Sequence, residues 1–342
     1  MFIFIGSKKR QRILSVILSF LCLAEVNAQQ KYVFEQPKMG SPFTITIFSN
    51  DSSAAANAAI AAFKKVDSLN EILSDYIDQS EINRLSRSSG KGKYVQVSAP
   101  LFDILKRSVE AAQRSEGSFD ITMGPIVQLW RSARKNNQLP EADSIQLARA
   151  KTGYKHIHLD NINQSVLLDK EGMRLDIGGI GKGYVANEAL KVLKKSGFSQ
   201  AMVNAGGKIV TGDAPGSANG WLIGINLPGE KNLLMPALLS LQNMAVATSG
   251  DLYQNLSING KKYSHIINPK TGMGLTHGRN VTAIAQDAAT ADWLSTACSV
   301  LSVSKSIDLV EKIPGAALLI TENKKGRIVQ RSSTRFKDYF AD

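Results

Sequence analysis

Cysteine is the scarcest reactive side chain in this sequence. The 342 residues contain two cysteines, Cys22 and Cys298, and Cys22 falls inside a predicted N-terminal leader. We therefore expect Cys298 to be the one cysteine of the processed chain, which excludes an internal disulfide. Stability must then come from the burial of an apolar core, and a chain of this length can supply one.

The N-terminus has an apolar run, residues 13–24, that is shorter than the ~20 residues of a membrane-spanning helix. Four basic residues at positions 8–12 precede the run, and the small-x-small sequence Val26-Asn27-Ala28 follows it. This order predicts a secretory signal peptide at residues 1–28, cleaved after its last residue, and hence an exported protein. Lipidation of Cys22 and an uncleaved anchor are weaker alternatives, because the residues before Cys22 form a poor lipobox.

Acidic residues are fewer than basic ones, with 29 Asp and Glu against 41 Lys and Arg and a formal net charge of +12. Removal of residues 1–28 takes away four basic residues and one acidic residue, so the processed chain carries +9. The basic residues are mostly scattered, and no basic run is interleaved with aromatic residues, which argues against nucleic-acid binding. A basic surface suits an acidic small molecule or an anionic membrane face.

Common catalytic motifs are also missing. The sequence has no nucleophile elbow, no His-Glu-x-x-His and no Cys-x-x-Cys, and its glycine-rich stretches match neither the dinucleotide fingerprint nor the P-loop. His156 and His158 alternate on a predicted strand, without a cysteine or carboxylate at metal-ligand spacing, which favours a structural role. His265, at a strand end before a Pro/Gly turn, is better placed for a site, although a lone histidine is more often structural.

The order of predicted elements indicates the fold class. Strands and helices alternate irregularly, with hairpins as well as crossovers, which predicts an α+β fold rather than a doubly wound sheet. Without a Pro/Ser-rich linker, residues 29–325 are interpreted as one domain and the polar residues 326–342 as a loosely held C-terminal tail. Periodicity predicts strands at residues 42–48, 94–97, 157–159, 165–168, 201–204, 209–212, 221–226, 243–248, 262–267, 281–285 and 316–320. It predicts helices from Asp51 or Ser52 to about residue 72 and at residues 101–115, 126–134, 185–194, 288–301 and 305–312, with a loop at 136–143.

A glycine-rich stretch joins the predicted strand that ends in Asp176 to the predicted helix at residues 185–194. Glycines let a backbone approach a ligand closely. A helix N-terminus offers N–H groups to an anion, and Lys182 would add a positive charge. A glycine-rich turn with a surface lysine is the equally favoured alternative on this stretch alone.

Oxygen-bearing side chains at Asp292, Ser295 and Thr296 share one face of a predicted helix. Such hard ligands suit Mg²⁺ together with backbone carbonyls and substrate phosphates. Local sequence alone favours the alternative, in which Asp292 compensates the helix dipole and the two hydroxyls pack. Elsewhere, Asp120 stands between apolar residues and would need a partner if it were buried.

Eight segments taken in order give the chain a specific resemblance. The segments are Met39-Gly40, Ser80-Glu-Ile-Asn-Arg-Leu85, Gly117-Ser-Phe-Asp-Ile-Thr122, Leu175-Asp-Ile-Gly-Gly-Ile-Gly-Lys-Gly-Tyr184, Asn204-Ala-Gly-Gly207, Ala247-Thr-Ser-Gly250, His265-Ile-Ile-Asn-Pro-Lys-Thr-Gly272 and Ala291-Asp-Trp-Leu-Ser-Thr296. They resemble those of the ApbE family, the FAD:protein FMN transferases, over nearly the whole processed chain, about Met39 to Thr321.

The resemblance implies a two-lobed mixed α/β fold with the ligand site between the lobes, FAD as substrate and Mg²⁺ as cofactor. It implies cleavage of the FAD diphosphate, transfer of FMN to a Ser or Thr hydroxyl of an acceptor protein, and release of AMP. The implied acceptor carries a flavinylation motif and is a membrane respiratory redox subunit. The implied location is the periplasm or the outer face of the bacterial inner membrane.

Family motifs also imply roles for individual residues. The implied FAD contacts are Met39, Tyr76, Ser118, Phe119, Asp120, Asp176, Lys182 and Ile267. The implied Mg²⁺ ligands are the Gly179 carbonyl, Asp292, Ser295 and Thr296. For the base that serves the acceptor hydroxyl we favour His265, with Asp292 as the competitor if the metal does not fully occupy it.

The sequence departs from the family pattern at three positions. Gly181 replaces a frequent alanine, Lys208 replaces a frequent aspartate, and Asn268 stands where aspartate is common. Lys208 adds positive charge near the site, so these departures bear on substrate preference rather than on reaction class. Two other functions stay open: an FAD pyrophosphatase that uses water as acceptor, and an exported FAD-binding protein without catalysis. Residues 268–272 match the acceptor motif only in part, so we do not expect the chain to modify itself.

Overall fold

The computed structural model describes residues 29–228, 234–250, 255–324 and 327–341. The predicted signal peptide at residues 1–28 lies outside the described residues. The strands are β1 (Gln30–Lys38), β2 (Ser41–Ser49), β3 (Val95–Gln96), β4 (Ile157–Asp160), β5 (Ser165–Leu168), β6 (Ala201–Ala205), β7 (Lys208–Thr211), β8 (Trp221–Ile223), β9 (Leu239–Leu241), β10 (Ala245–Ser249), β11 (Asn255–Ile258), β12 (Lys261–Ser264), β13 (Arg279–Ala285), β14 (Ala317–Lys324) and β15 (Arg327–Ser332).

The helices are α1 (Ser52–Leu73), α2 (Glu81–Ser86), α3 (Ala99–Arg114), α4 (Gly124–Asn136), α5 (Ala142–Arg149), α6 (Gly181–Lys195), α7 (Ala288–Val300) and α8 (Val303–Glu311). Short 3₁₀ helices cover Tyr154–His156 and Thr334–Tyr339. None of the helices in the described part of the chain combines the length and the apolar character needed to cross a membrane.

A large antiparallel sheet organises the molecule. Among the described residues, eight strands lie in the order β1-β2-β6-β7-β10-β13-β14-β15, and each neighbouring pair is antiparallel. Helices α1, α6 and α7 contact this sheet. The segregation of helices against an antiparallel sheet confirms the predicted α+β class.

Alternation along the strands divides the core between the two faces of the sheet. Val281, Ala283 and Ala285 of β13 pack in the helix-side core, whereas Ile284 packs in a second cluster on the opposite face. Alanines line the helix side of the central strand β10, which lets α7 lie close to it. Asp51 caps α1 by accepting the N–H of Ala54, and this confirms the predicted helix start.

The predicted loose tail at residues 326–342 is wrong for the residues described there. Strand β15 pairs with β14 at the edge of the large sheet, and its polar side chains are mostly exposed because it is an edge strand. Phe336, in the following 3₁₀ helix, is 1% exposed and packs with Trp221 of β8 against the second face. Tyr339 and Phe340 pack against the same cluster, so a few aromatic residues spread among polar ones attach a segment whose composition indicated a loose tail.

Strand β1 and helix α5 are among the further elements that differ from the sequence predictions. Strand β1 was not predicted because its polar and apolar residues do not alternate regularly, yet it pairs with β2 along its whole length. Helix α5 begins at Ala142, inside the predicted loop at 136–143. The predicted hairpin of β4 and β5 is confirmed, and β3 adds to it as a third strand.

A smaller body of α4, α5, β11 and β12 lies beside the large sheet. Its apolar residues form a separate cluster that includes Trp130 of α4 and Ile267 of the loop after β12. The Trp130 indole N–H donates to the Gly272 carbonyl at 2.8 Å, which fixes the Pro/Gly turn after His265 against α4. The same helix carries Arg131, which pairs with Asp176 at 3.1 Å, so α4 links this loop to the glycine-rich stretch described below.

Candidate active site

Two segments whose paired residues are 50 or more positions apart in the sequence run side by side at the site. The Asp176 N–H donates to the Ile121 carbonyl at 2.7 Å, and the Gly124 N–H donates to the Arg174 carbonyl at 3.1 Å. These bonds join the Gly117-Ser-Phe-Asp-Ile-Thr122 segment to the glycine-rich stretch. Backbone pairing therefore fixes where the stretch enters helix α6.

Helix α6 begins earlier than predicted. It starts at Gly181, so Lys182 and Gly183 belong to its first turn rather than to the preceding loop. The Gly183 N–H donates to Asp292 Oδ2 at 3.1 Å, and the Gly181 N–H donates to the Ile177 carbonyl at 2.8 Å. A carboxylate from the neighbouring helix α7 thus caps this N-terminus, where no side chain of α6 itself does.

The glycine at position 183 is required by a close helix crossing. A Cβ placed on Gly183 would lie 2.0 Å from the Ala288 carbonyl oxygen at the start of α7. Because any side chain would force α6 and α7 apart, glycine is what allows the Gly183 N–H to reach Asp292.

Asp292 is the most unusual polar residue of the site. It is 1% exposed, and its Oδ1 atom makes no hydrogen bond within the described part of the chain. The nearest cationic group to Oδ1 is the Lys208 Nζ, at 3.5 Å. A buried carboxylate oxygen needs a partner, so this atom is available to a cation.

Two more oxygens lie beside Asp292. The Thr296 Oγ1 is 3.1 Å from the Asp292 carbonyl and 3.5 Å from the Gly179 carbonyl. The described residues contain no group of three or more His, Cys, Asp or Glu side chains able to hold a metal. A metal here would rest on one carboxylate, one hydroxyl and one carbonyl, a hard-oxygen set that fits Mg²⁺.

Ser295 lies apart from the other three predicted ligands. It is fully buried, donates to the Asp292 carbonyl at 2.8 Å and is 2.7 Å from the Ser249 Oγ of β10. Internal hydrogen bonds thus occupy its hydroxyl, and the structure brings together Gly179, Asp292 and Thr296 without it. Thr296, four positions after Asp292, contacts the Gly179 carbonyl, whereas Ser295, three positions after it, contacts Ser249 of the sheet.

Lys208 is a buried cation that sequence reasoning did not place against Asp292. Lys208 as a whole is 8% exposed, and its Nζ donates to the Thr248 carbonyl at 2.7 Å. Burial lowers the pKa of Lys208, Asp292 opposes that shift, and the nearby Lys182 adds to it. Two lysines therefore lie near each other, one of them facing Asp292, and their charge makes the site attractive to an anion.

Arg131 forms a second charged group at the glycine-rich stretch. Its guanidinium bonds Asp75 Oδ2 at 2.5 Å and Asp176 Oδ2 at 3.1 Å, and it lies 4.0 Å from the centre of the Tyr76 ring. Burial raises the pKa of Asp176, Asp75 acts in the same direction, and Arg131 opposes them. Sequence reasoning missed Arg131, because nothing local to α4 signals partners 45 and 56 positions away.

Comparisons with known proteins show which family the chain belongs to. A family model described as the ApbE family matches residues 39–320. The chain belongs to the ApbE family.

Relatives within the ApbE family cover most of the chain. It is 28% identical over 304 residues to a protein named FAD:protein FMN transferase from Escherichia coli strain K12, covering 87% of this chain and 86% of that protein. It is 28% identical over 330 residues to the protein of that name from Haemophilus influenzae, covering 93% of this chain and 94% of that protein.

Solved ApbE structures share the fold. A flavinyl transferase ApbE from Pseudomonas stutzeri, in an apo form, has a TM-score of 0.80 at 26% identity, covering 92% of this chain and 98% of that one. An ApbE protein from Thermotoga maritima has a TM-score of 0.81 at 28% identity, covering 92% of this chain and 100% of that one.

The remaining family-implied residues fall into two groups. Phe119 lies against Gly179, since a Cβ on Gly179 would be 3.1 Å from its ring, and Ser118 is buried beside it. Asp120 accepts hydrogen bonds from the Thr122 N–H and hydroxyl and from the Tyr154 N–H, so it organises its own loop. Burial raises the pKa of Asp120 against these bonds.

The other group lies at the edges of the site. Tyr76 is 77% exposed, and Met39 lies in the β1–β2 turn with a φ of 50° and packs on the main core. His265 is exposed directly after β12, whereas Ile267 is buried beside Trp130. His156 and His158 both bond Asp169, at 2.8 and 2.6 Å, in keeping with the structural role predicted for them.

Proposed function

We propose that this ApbE-family protein is an enzyme that transfers FMN from FAD to a Ser or Thr hydroxyl of an acceptor protein and releases AMP. The observation that supports this most directly is the Asp292 carboxylate, which is buried with one oxygen unbonded among the described residues and faces Lys208. It lies one helical turn from Thr296, whose hydroxyl contacts the Gly179 carbonyl. The relatives named FAD:protein FMN transferase support the same reaction. FAD is then a substrate, and the flavin remains on the acceptor.

Gly179, Asp292 and Thr296 are the residues that would hold Mg²⁺. When bound there, Mg²⁺ would supply Lewis-acid stabilisation of the charge on the diphosphate. Lys182 and Lys208 add positive charge on the protein side, which phosphoryl transfer needs more than it needs covalent chemistry. Tyr76, stacked on Arg131 and largely exposed, offers an aromatic surface for a flavin or adenine ring.

The transfer exchanges a phosphoanhydride bond of FAD for a phosphoester bond to the acceptor. The acceptor oxygen forms a bond to the FMN phosphorus, the bond from that phosphorus to the bridging oxygen breaks, and AMP leaves with the bridging oxygen. The proton of the acceptor hydroxyl goes to a base. We assign that base to His265, because Asp292 already accepts the Gly183 N–H and faces Lys208.

The proposal also covers the cellular location of this protein and the kind of acceptor protein that it modifies. The apolar run after a basic N-terminus supports export, and with it action in the periplasm or at the outer face of the inner membrane. An acceptor in that place would be a membrane respiratory redox subunit with a flavinylation motif.

The test incubates the full chain with FAD, Mg²⁺ and a peptide that carries Asp, a small residue, any residue, Ser or Thr, Gly, Ala, and Ser or Thr in that order. Mass spectrometry should find the peptide heavier by the mass of FMN less water, with AMP formed in equal amount. Release of FMN and AMP without modified peptide would instead identify an FAD pyrophosphatase. FAD binding without AMP would identify a flavin-binding protein. Either result overturns the proposed transfer.

A further inference from the structure

We propose that Lys208 is a built-in second cation of this site, which shares Asp292 with the metal and competes with it. The inference rests on the proposed function, since it concerns the same metal and diphosphate site. It explains why a buried carboxylate among the metal-site residues also faces an ammonium group. The same proposal gives a role to Lys208, a residue at which the sequence departs from the family pattern.

The backbone holds Lys208 in place. It is the first residue of β7, directly after the Gly206-Gly207 turn, and its Cα pairs with that of Ala247 in β10. Its side chain is 10% exposed, and the hydrogen bond from Nζ to the Thr248 carbonyl fixes the ammonium end of that side chain. Lys208 is therefore a fixed interior cation, unlike the flexible lysines of the protein surface.

The contact with Asp292 occurs at the one oxygen that has no other partner. Oδ2 accepts the Gly183 N–H, whereas Oδ1 has the Lys208 Nζ at 3.5 Å and no hydrogen bond within the described ranges. A buried carboxylate without a cation is costly, so Lys208 stabilises Asp292 when no metal is bound. A metal that binds Oδ1 brings a second positive charge to the same atom and must overcome repulsion from Lys208.

Two effects of opposite sign follow from this geometry. Removing the charge of Lys208 should strengthen metal binding, because the competing cation is gone. It should weaken FAD binding in the absence of metal, because the diphosphate loses one of two nearby ammonium groups and faces an unbalanced Asp292. If Lys208 served only to bridge β7 and β10, its loss would lower stability and leave both affinities unchanged.

The experiment uses the full chain with Lys208→Met and Lys208→Gln. Both variants are neutral, and the amide of Lys208→Gln can still donate a hydrogen bond, which provides a second chance of a well-folded protein. Lys191→Met is the matched control, because Lys191 lies on α6 with 63% exposure and pairs with Glu188. Mn²⁺ binding without FAD is measured by electron paramagnetic resonance of the free ion, and FAD binding in EDTA by titration calorimetry.

For the Lys208 variants we expect Mn²⁺ to bind about 10- to 100-fold more tightly and FAD in EDTA to bind about tenfold more weakly, the range of one interaction with a charged group. Lys191→Met should match the wild type in both. Unchanged or weaker Mn²⁺ binding in a folded Lys208 variant overturns the inference while the proposed function stands. A wild-type protein that binds neither Mn²⁺ nor FAD overturns both.

Discussion

Among single residues, Asp292 has the most demanding environment. Its carboxylate caps α6 through Gly183, faces Lys208, and lies within one helical turn of Thr296. Each of these partners comes from a different element or turn, so the charge of one side chain couples three parts of the site. The consequence is that substitutions of similar size should differ sharply in effect, according to which partner they remove.

The first prediction concerns the metal ligands. Asp292→Ala should abolish transfer with the fold retained, because it removes the one carboxylate of the donor set. Thr296→Ala should do less harm and respond to more Mg²⁺, since water can replace a neutral ligand. Titration of activity against Mg²⁺ compares the two variants, with circular dichroism to confirm folding. A Mg²⁺ titration curve that Asp292→Ala leaves unshifted would remove Asp292 from the metal site.

The second prediction concerns Lys182. Lys182→Met should weaken FAD binding by roughly 1.5–3 kcal/mol, the scale of a hydrogen bond to a charged group. Calorimetry at low salt measures the difference, because screening is weakest there. Lys194→Met is the control, since Lys194 lies on the same helix and bonds Asn243. Equal FAD affinity of the two variants would make Lys182 an ordinary surface lysine.

The third prediction concerns His265. His265→Asn should slow transfer to the acceptor peptide by roughly 10²–10⁴-fold, the usual contribution of acid–base catalysis, and leave FAD binding nearly intact. Single-turnover rates and FAD titrations separate the two effects. Lost FAD binding, rather than lost transfer, would make His265 a pocket residue and place the base elsewhere.

Among elements, the crossing of α6 and α7 determines the site. The two helices approach so closely at Gly183 that a backbone N–H of one meets a carboxylate of the other. The predicted helix start at residue 185 was too late, because glycines are poor helix formers by propensity. Packing against α7 and the cap from Asp292 outweigh that propensity.

The fourth prediction tests this crossing. Gly183→Ala should destabilise the protein by about 1–3 kcal/mol, the cost of overpacking, because its Cβ meets a backbone carbonyl that cannot turn away. Urea unfolding measures the loss. Gly278→Ala is the control, since a Cβ there meets nothing within 4 Å. Matching unfolding midpoints for the two variants would mean that α6 and α7 separate without cost.

At the scale of the whole molecule, the net charge and the N-terminal sequence bear on the proposed location of the protein. The chain has a net charge of +12. Among the described residues, the large sheet buries its core on both faces and Cys298 is a free cysteine. A basic exterior suits a polyanionic substrate and an anionic membrane face alike. Both conditions fit the proposed role at the outer face of a membrane.

The fifth prediction concerns processing of the chain. Protein recovered from the periplasmic or membrane fraction should begin at Gln29, because the small residues before it predict cleavage there. N-terminal mass spectrometry measures the start. Leu18→Arg, which places a charge in the apolar run, should leave the precursor uncleaved. Precursor with residues 1–28 intact in the soluble cytoplasm of wild-type cells would contradict export.

The sequence by itself determined the local features of this protein. The cap at Asp51, the alternation of β2 and the hairpin of β4 and β5 follow from neighbours in the chain, so periodicity predicted them. The motif order likewise predicted the family and most candidate residues. These features could be predicted because the residues that produce them lie within a few positions of one another.

Tertiary structure alone decided which charges meet. Asp292 reaches Gly183 across 109 positions, and Arg131 reaches Asp176 across 45. Lys208 turned out to be an interior cation, which its position after a Gly-Gly turn did not indicate. The order of strands in the sheet and the spacing of α6 from α7 produce these contacts. No local pattern encodes either, because both result from packing that minimises exposed apolar surface over the whole chain.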